Sequence, residues 1–455
     1  MTYFVKNQRR PRLGVTLAAL LIEKGRGFMP CSLIRHALII GCIGLLGYTS
    51  LSDAASRFIL DKVVVVARHG VRSPTDDHDY TALTDQHWPK WSVPAGHLTG
   101  HGYAGMVQQG KFFAEQWQHW GLTLPLHQGC PARQSVSVWT APDQRTQATG
   151  SALLDGLFPG CGIAIAHTHA TADPLFDASK MALTPPNTAL ILDQIQSRMA
   201  AKAPLTEHYR AAVALFRQAI CAPHSASCAF LDNPWDVTFT DNGQPKLVGP
   251  VAHAASMAET IRLAYSENLP LSEVAFGHVR QAKDVGALMA LHAAKYDLVS
   301  DTPEYARQGG SLLMTQILDA LTDTASRYAS RLASPIVLFV GHDTNIAQLQ
   351  TMLGFNWQLA EYPRNDIPPG GSLVFLRFHE ATTGKQFIQL SFMTRSLDQW
   401  RALTPLSLQV PMLEADDFHK GCFRSDDKTL CPLSLFVRQA RQQIKVQDKG
   451  LILFQ

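Results

Sequence analysis

Lys62-Val63-Val64-Val65-Val66-Ala67-Arg68-His69-Gly70-Val71-Arg72-Ser73-Pro74-Thr75 is the stretch on which the fold turns. Four consecutive β-branched residues leave no polar face, so Lys62 to Ala67 reads as a strand buried on both sides of a sheet rather than a half-exposed one. The chain then changes character within one residue. Arg68-His69-Gly70 places an imidazole between two guanidinium groups, Arg68 and Arg72, on a loop that Gly70 allows to turn tightly beside a bulky anion. A neutral imidazole can attack phosphorus, and guanidinium groups fork onto the oxygens whose charge builds in the transition state. The plainer reading makes Arg68 and Arg72 surface ion pairs.

A second polar cluster follows a second apolar run. Ile336-Val337-Leu338-Phe339-Val340 leads directly into Gly341-His342-Asp343-Thr344. In open α/β sheets ligands bind beyond the carboxyl ends of strands, so two clusters in that position are placed to converge. Asp343, when protonated, suits the delivery of a proton to an alkoxide leaving group, and His342 suits a hydrogen bond to phosphoryl oxygen. Asp343 or Thr344 could equally cap the helix expected over 346–353, which Gly354 would end.

The rest of the chain fills in an α/β pattern. Residues 101–120 have helical spacing, Ser135 to Thr140 alternates like a strand, a helix restarts near Asp143, and Ile163 to His167 reads as another short strand. From about 186 to 300 the pattern is mainly helical, and Leu373 to Met393 looks like a hairpin across Thr382-Thr383-Gly384. The expected organisation is an N-terminal extension over 1–55, a first α/β part over 56–185, an inserted helical domain over 186–300, and a second α/β part over 301–455. The sheet is expected to be mixed and flanked by helices.

The 455 residues carry a formal net charge of +3, but residues 1–55 hold seven Lys or Arg against Glu23 and Asp53. Removing that +5 leaves −2, a balance that gives no footprint for nucleic acid or an anionic membrane. Arg35 and His36 precede an uncharged run from Ala37 to Ser52, which reads as a signal peptide cleaved after Ala54 or Ala55, with Met29 as an alternative start. The run is short for a membrane anchor, and Cys42 sits badly for lipidation because the apolar stretch continues past it. Export suits the six remaining cysteines, Cys130, Cys161, Cys221, Cys228, Cys422 and Cys431. Sequential pairing is the simplest of the roughly 15 connectivities open to six cysteines. With no Cys-x2-Cys pair, no zinc site is expected.

The Arg-His-Gly-x-Arg-x-Pro segment and the later His-Asp dipeptide together resemble the histidine acid phosphatases, specifically the bacterial periplasmic phytase and glucose-1-phosphatase branch. The resemblance extends to Gln144-Arg145-Thr146, Asp173-Pro174-x-Phe176, Thr302-Pro303-Glu304, Pro369-Gly370-Gly371 and Thr404-Pro405-Leu406. It implies a phosphoglycerate-mutase-like α/β domain with a helical insertion. It also implies His69 as nucleophile, Asp343 as proton donor, and Arg68, Arg72, Thr75, Arg145 and His342 around the phosphate. Arg145 enters only through the resemblance; the residues alone read as a capped helix with an outward Arg. The family's pattern pairs Cys130 with Cys161, Cys221 with Cys228 and Cys422 with Cys431, and it calls for no metal or cofactor.

The implied substrate is a small phosphate monoester. The phytases tend to carry a Lys just after the motif, where Asp76-Asp77 stands here, and an Arg near the position of His278. Glu259 also leans toward the glucose-1-phosphatase side, whereas His342-Asp343-Thr344-Asn345 matches the phytase form. The expectation is therefore a broad acid phosphatase taking sugar phosphates ahead of phytate, with a dedicated phytase as the alternative. A phosphoglycerate-mutase-like phosphotransferase and a phosphate-ester binding protein without turnover are the rival classes. The oligomeric state is left open by the residues.

Overall fold

The computed structural model describes residues 57–454 apart from 76–79, 127–128, 184, 224–226, 325–326, 426, 446–450 and 452. The expected leader, its cleavage site, Met29, and Asp76-Asp77 lie outside the described residues. Strands run in chain order as β1 (Phe58–Arg68), β2 (Val136–Thr140), β3 (Ala166–His167), β4 (Asp236–Phe239), β5 (Pro245–Val248), β6 (Ile336–Gly341), β7 (Ser372–Glu380), β8 (Gln386–Thr394), β9 (Leu413–Asp416), β10 (Phe423–Ser425) and β11 (Lys428–Pro432). Nine of them make one mixed sheet ordered β10-β11-β8-β7-β1-β6-β2-β3, with β9 beside β8.

β1 lies in the middle of that sheet, which explains its composition. Val63, Val65 and Ala67 face a core built with Phe112, Phe113, Trp117 and Leu153 from helices Gly100–His119 and Gln144–Leu157. Val64 and Val66 face the opposite core with Ile317, Ile346 and Leu349 from helices Pro303–Thr322 and Asp343–Leu353. Each buried valine contributes about 1.5–3 kcal/mol, so the run commits both faces at once. β1 pairs antiparallel with β7 and parallel with β6, and β6 pairs parallel with β2. Three parallel strands thus deliver their carboxyl ends to one edge of the sheet.

The helical stretch holds helices Thr188–Ala201, Arg210–Ile220, Val251–Ser266, Ala282–Leu288 and Ala290–Lys295, and it packs into one unit with the sheet. It also contains the β4–β5 hairpin, absent from the sequence expectation. The signal was there in Asn242-Gly243, where Gly243 takes φ +74°, between runs of alternating polarity. The strand expected over 163–167 shrinks to two residues at the sheet edge, where only Trp139 and Thr140 offer partners. Disulfides join Cys130 to Cys161, Cys221 to Cys228 and Cys422 to Cys431. The 31-residue span of the first constrains the unfolded chain most, by about 3–4 kcal/mol.

Candidate active site

Arg68 and Gly341 are paired in the β1–β6 register, so the residues that follow each strand face one another. The His69 side chain bonds within its own loop among the described residues: Nδ1 lies 2.9 Å from the Gly70 carbonyl. A carbonyl only accepts, so Nδ1 carries the proton and Nε2 keeps its lone pair. The loop is held from behind. The Gly371 and His69 carbonyls accept from the Arg68 and Gly370 amides at 2.8 and 3.0 Å, and the Gly70 amide donates to Thr149 Oγ1 at 3.0 Å. Gly370 has φ +70°, and a Cβ there would stand 2.9 Å from both Gln109 Oε1 and Trp400, which explains the glycine in Pro369-Gly370-Gly371.

Burial, then the neighbouring charges of Arg68, Arg72 and Arg145, hold the His69 imidazole well below its ordinary range and therefore neutral. Arg68 is fully buried, with Nη1 on the Ile367 carbonyl at 2.5 Å and Nη2 shared between Glu259 at 2.5 Å and Asp343 at 3.2 Å. Among the described residues Arg72 makes one side-chain bond, to the Ser73 carbonyl at 2.8 Å, and its guanidinium falls to about 10, chiefly through burial. Nε of Arg68, of Arg72 and of Arg145 is buried without a hydrogen-bond partner among the described residues. A buried donor left unpaired costs about 1–3 kcal/mol, so this cluster is built to receive acceptor oxygens.

β2 brings the third contribution. Asp143, expected only as a helix cap, makes no capping bond and instead bridges Arg145 Nη1 and His342 Nε2, both at 3.0 Å. The hydrogen bond from His342 leads in lowering its carboxyl to about 2, against burial and with help from Arg145. Arg145 therefore points inward, because the ion pair and the Gly96 carbonyl at 3.5 Å hold it there. His342 itself is the N-cap of helix Asp343–Leu353, with its amide donating to Asn345 Oδ1 at 2.9 Å. Asn345 in turn donates to the Phe176 carbonyl at 2.8 Å, which ties Asp173-Pro174-x-Phe176 to the site. The imidazoles of His69 and His342 stand 5.8 Å apart, edge to face.

Asp343 accepts from the Thr344 amide at 2.8 Å and faces Arg68. Burial alone would raise its carboxyl, but Arg68, His292, His69 and Lys295 together hold it well below the usual carboxylate range. The expectation that acid protonates Asp343 directly meets that field; an anion seated on the arginines would offset it and raise the carboxyl.

Arg72, Glu259, Asp343 and Thr75 line one cavity of about 200 Å³ with Ser256, Thr260, His292, Lys295 and Tyr296. Those last five come from the helical stretch, and no local pattern marked them. Thr75 is exposed at the mouth. Glu259 sits deeper than a rim residue, sandwiched between Arg68 and Arg262, whose Nη1 meets Asp366 at 2.6 Å. His278 lines a separate cavity with Leu215, Gln218 and Asp284.

A mixed sheet that presents a buried neutral histidine among arginines at its carboxyl edge defines a histidine phosphatase. The chain belongs to the histidine phosphatase superfamily (branch 2), whose family model matches residues 59–393. It is 31% identical over 419 residues to the phytase AppA of Escherichia coli, covering 87% of this chain and 94% of that protein. It is 28% identical to the glucose-1-phosphatase of Salmonella typhimurium, over 88% and 96% of the two chains. The crystal structure of Klebsiella sp. ASR1 phytase superposes with a TM-score of 0.79 at 37% identity, over 85% and 96% of the chains. The enzyme class is thus that of the histidine acid phosphatases. Among the described residues, no helix is long and apolar enough to cross a membrane.

Proposed function

We propose that the protein is an exported acid phosphatase that hydrolyses compact phosphate monoesters through phosphorylated His69, sugar phosphates ahead of phytate. The observation that carries this reading is the pairing of a neutral imidazole, its Nδ1 fixed on Gly70, with three arginines whose buried Nε donors lack partners. His69 Nε2 attacks phosphorus in line as the ester P–O bond breaks, and Nδ1 keeps its proton, donated to the Gly70 carbonyl, as the ring becomes cationic. Arg68, Arg72, Arg145 and His342 take the phosphoryl oxygens, with Thr75 at the mouth.

Asp343 hands a proton to the leaving oxygen. Because Asp343 starts ionised, that proton arrives with the ester as its monoanion and passes to the carboxylate once phosphate charge offsets Arg68. Water then attacks the phosphohistidine and gives its proton to Asp343. The small cavity and the buried Glu259 carboxylate favour a compact ester over a hexakisphosphate. Export rests on the leader and on the three disulfides, which persist in oxidising compartments.

The test is phosphate release by the mature protein at acidic and neutral pH with EDTA present, on glucose 1-phosphate, phytate and an aryl phosphate. Turnover fastest on glucose 1-phosphate at acidic pH is expected. Failure on all three would leave an ester-binding protein.

A further inference from the structure

Charge in the catalytic cavity does not balance, and the imbalance has a location. Arg68 is matched by Glu259 and Asp343, Arg145 by Asp143, and Arg262 by Glu259 and Asp366. Arg72 and Lys295 are the cavity cations that form no ion pair with a described residue. They occupy different walls. Arg72 follows the His69 loop on the phosphate side. Lys295 ends helix Ala290–Lys295, next to Tyr296 and His292 on the wall that meets Asp343.

A phosphoryl group seated on His69 answers Arg72 and leaves Lys295 facing the other half of the substrate, since Asp343 must stand at the leaving oxygen. The ammonium is exposed, so its long stem can follow a group a few ångströms from the scissile bond. Glu259 is held by Arg68 and Arg262 and does not reach across to neutralise it.

We infer that Lys295 is a specificity residue that binds a second anionic group, phosphate or carboxylate, carried by the leaving part of the ester. This rests on the phosphomonoesterase reading above and narrows its substrate class to compact esters with two anionic groups. No bond is made or broken at Lys295; its ammonium contributes a charge-assisted hydrogen bond at the exposed end of the cavity.

The test compares kcat/KM on fructose 1,6-bisphosphate, 3-phosphoglycerate and glucose 1-phosphate for the wild type, Lys295→Gln and Lys295→Arg. Lys295→Gln is expected to lose about fivefold to tenfold more on the two doubly anionic esters than on glucose 1-phosphate, mainly in KM, with Lys295→Arg recovering most of it. Loss on the bisphosphate alone would identify phosphate as the second group, and loss on both would admit carboxylate. Equal losses on all three esters, or none, would overturn the assignment. Should Lys295→Gln fold poorly, the wild type decides: its preference for the doubly anionic esters must shrink as salt rises from 0.02 to about 0.5 M, and a salt-independent ratio overturns the inference. A wild type inactive on every ester removes the parent reading instead, an outcome distinct from any of these.

Discussion

Arg68 and Gly341 are registered partners in neighbouring parallel strands, and this single pairing brings His69 and His342 together edge to face, at 5.8 Å between ring centroids. Every functional expectation below depends on that convergence, because the proposed nucleophile and the proposed proton donor lie on different loops.

Replacing His69 by Ala removes the imidazole that stands between Arg68 and Arg72. Turnover should fall by at least about a thousandfold while the fold persists, and acid-labile phosphate bound to the wild type after rapid quenching should disappear. A variant retaining full turnover would exclude the phosphohistidine route.

Asp343→Asn separates transfer from protonation. Loss should be about 10²–10⁴-fold on glucose 1-phosphate and much smaller on an aryl phosphate with a good leaving group. Equal losses on both would mean that Asp343 acts through Arg68 rather than at the leaving oxygen.

The pH profile follows from two depressed groups. His69 lies well below the ordinary imidazole range through burial and its arginines, so it stays competent into acid. Asp343 is ionised in the free site, so the proton comes with the ester, and kcat/KM should fall as pH rises through the substrate's second ionisation, near pH 6. The alkaline limb should then shift downward with esters of lower second pKa; a limb fixed across esters would place the proton on the enzyme.

Glu267 accepts from Thr99 Oγ1 at 2.5 Å beneath the cap of helix Gly100–His119, and burial pushes its carboxyl up to about 7. A carboxyl raised in the folded state favours folding while protonated. Its contribution is full below the unfolded value, about 4.3, and is lost as pH rises through 7. Glu267→Gln should therefore stabilise at pH 8 by about 1–2 kcal/mol after allowance for partial exposure, and change little at pH 4.5. Thermal melts at the two pH values read this directly; equal shifts at both would refute it.

A Cβ added at Gly102 would stand 2.1 Å from the carbonyl oxygen of Val71, which precedes Arg72 in the His69 loop. Gly102→Ala should cost about 1–3 kcal/mol and lower kcat/KM together with stability, because the clash is expected to be relieved by moving the loop that carries Arg72. Unchanged activity would show that the helix moves instead.

The sequence by itself determined the central strand, since four successive valines fit only a site buried on both faces. It also marked the two polar loops, because an abrupt passage from apolar strand to Arg-His-Gly or Gly-His-Asp is a local feature. The helical spacing over 101–120, the helix restart near Asp143 and the hairpin across Thr382-Thr383-Gly384 were legible as local features for the same reason. Only the tertiary structure decided which loops meet, for register between β1, β6 and β2 is set by packing across some 270 residues of chain. It also decided that Asp143 serves Arg145 and His342 rather than its own helix, that Glu259 is locked between arginines, and that Lys295 lines the cavity without an ion pair to a described residue. Those roles depend on which charges lie near one another in a medium of low dielectric, and no spacing along the chain encodes that distance.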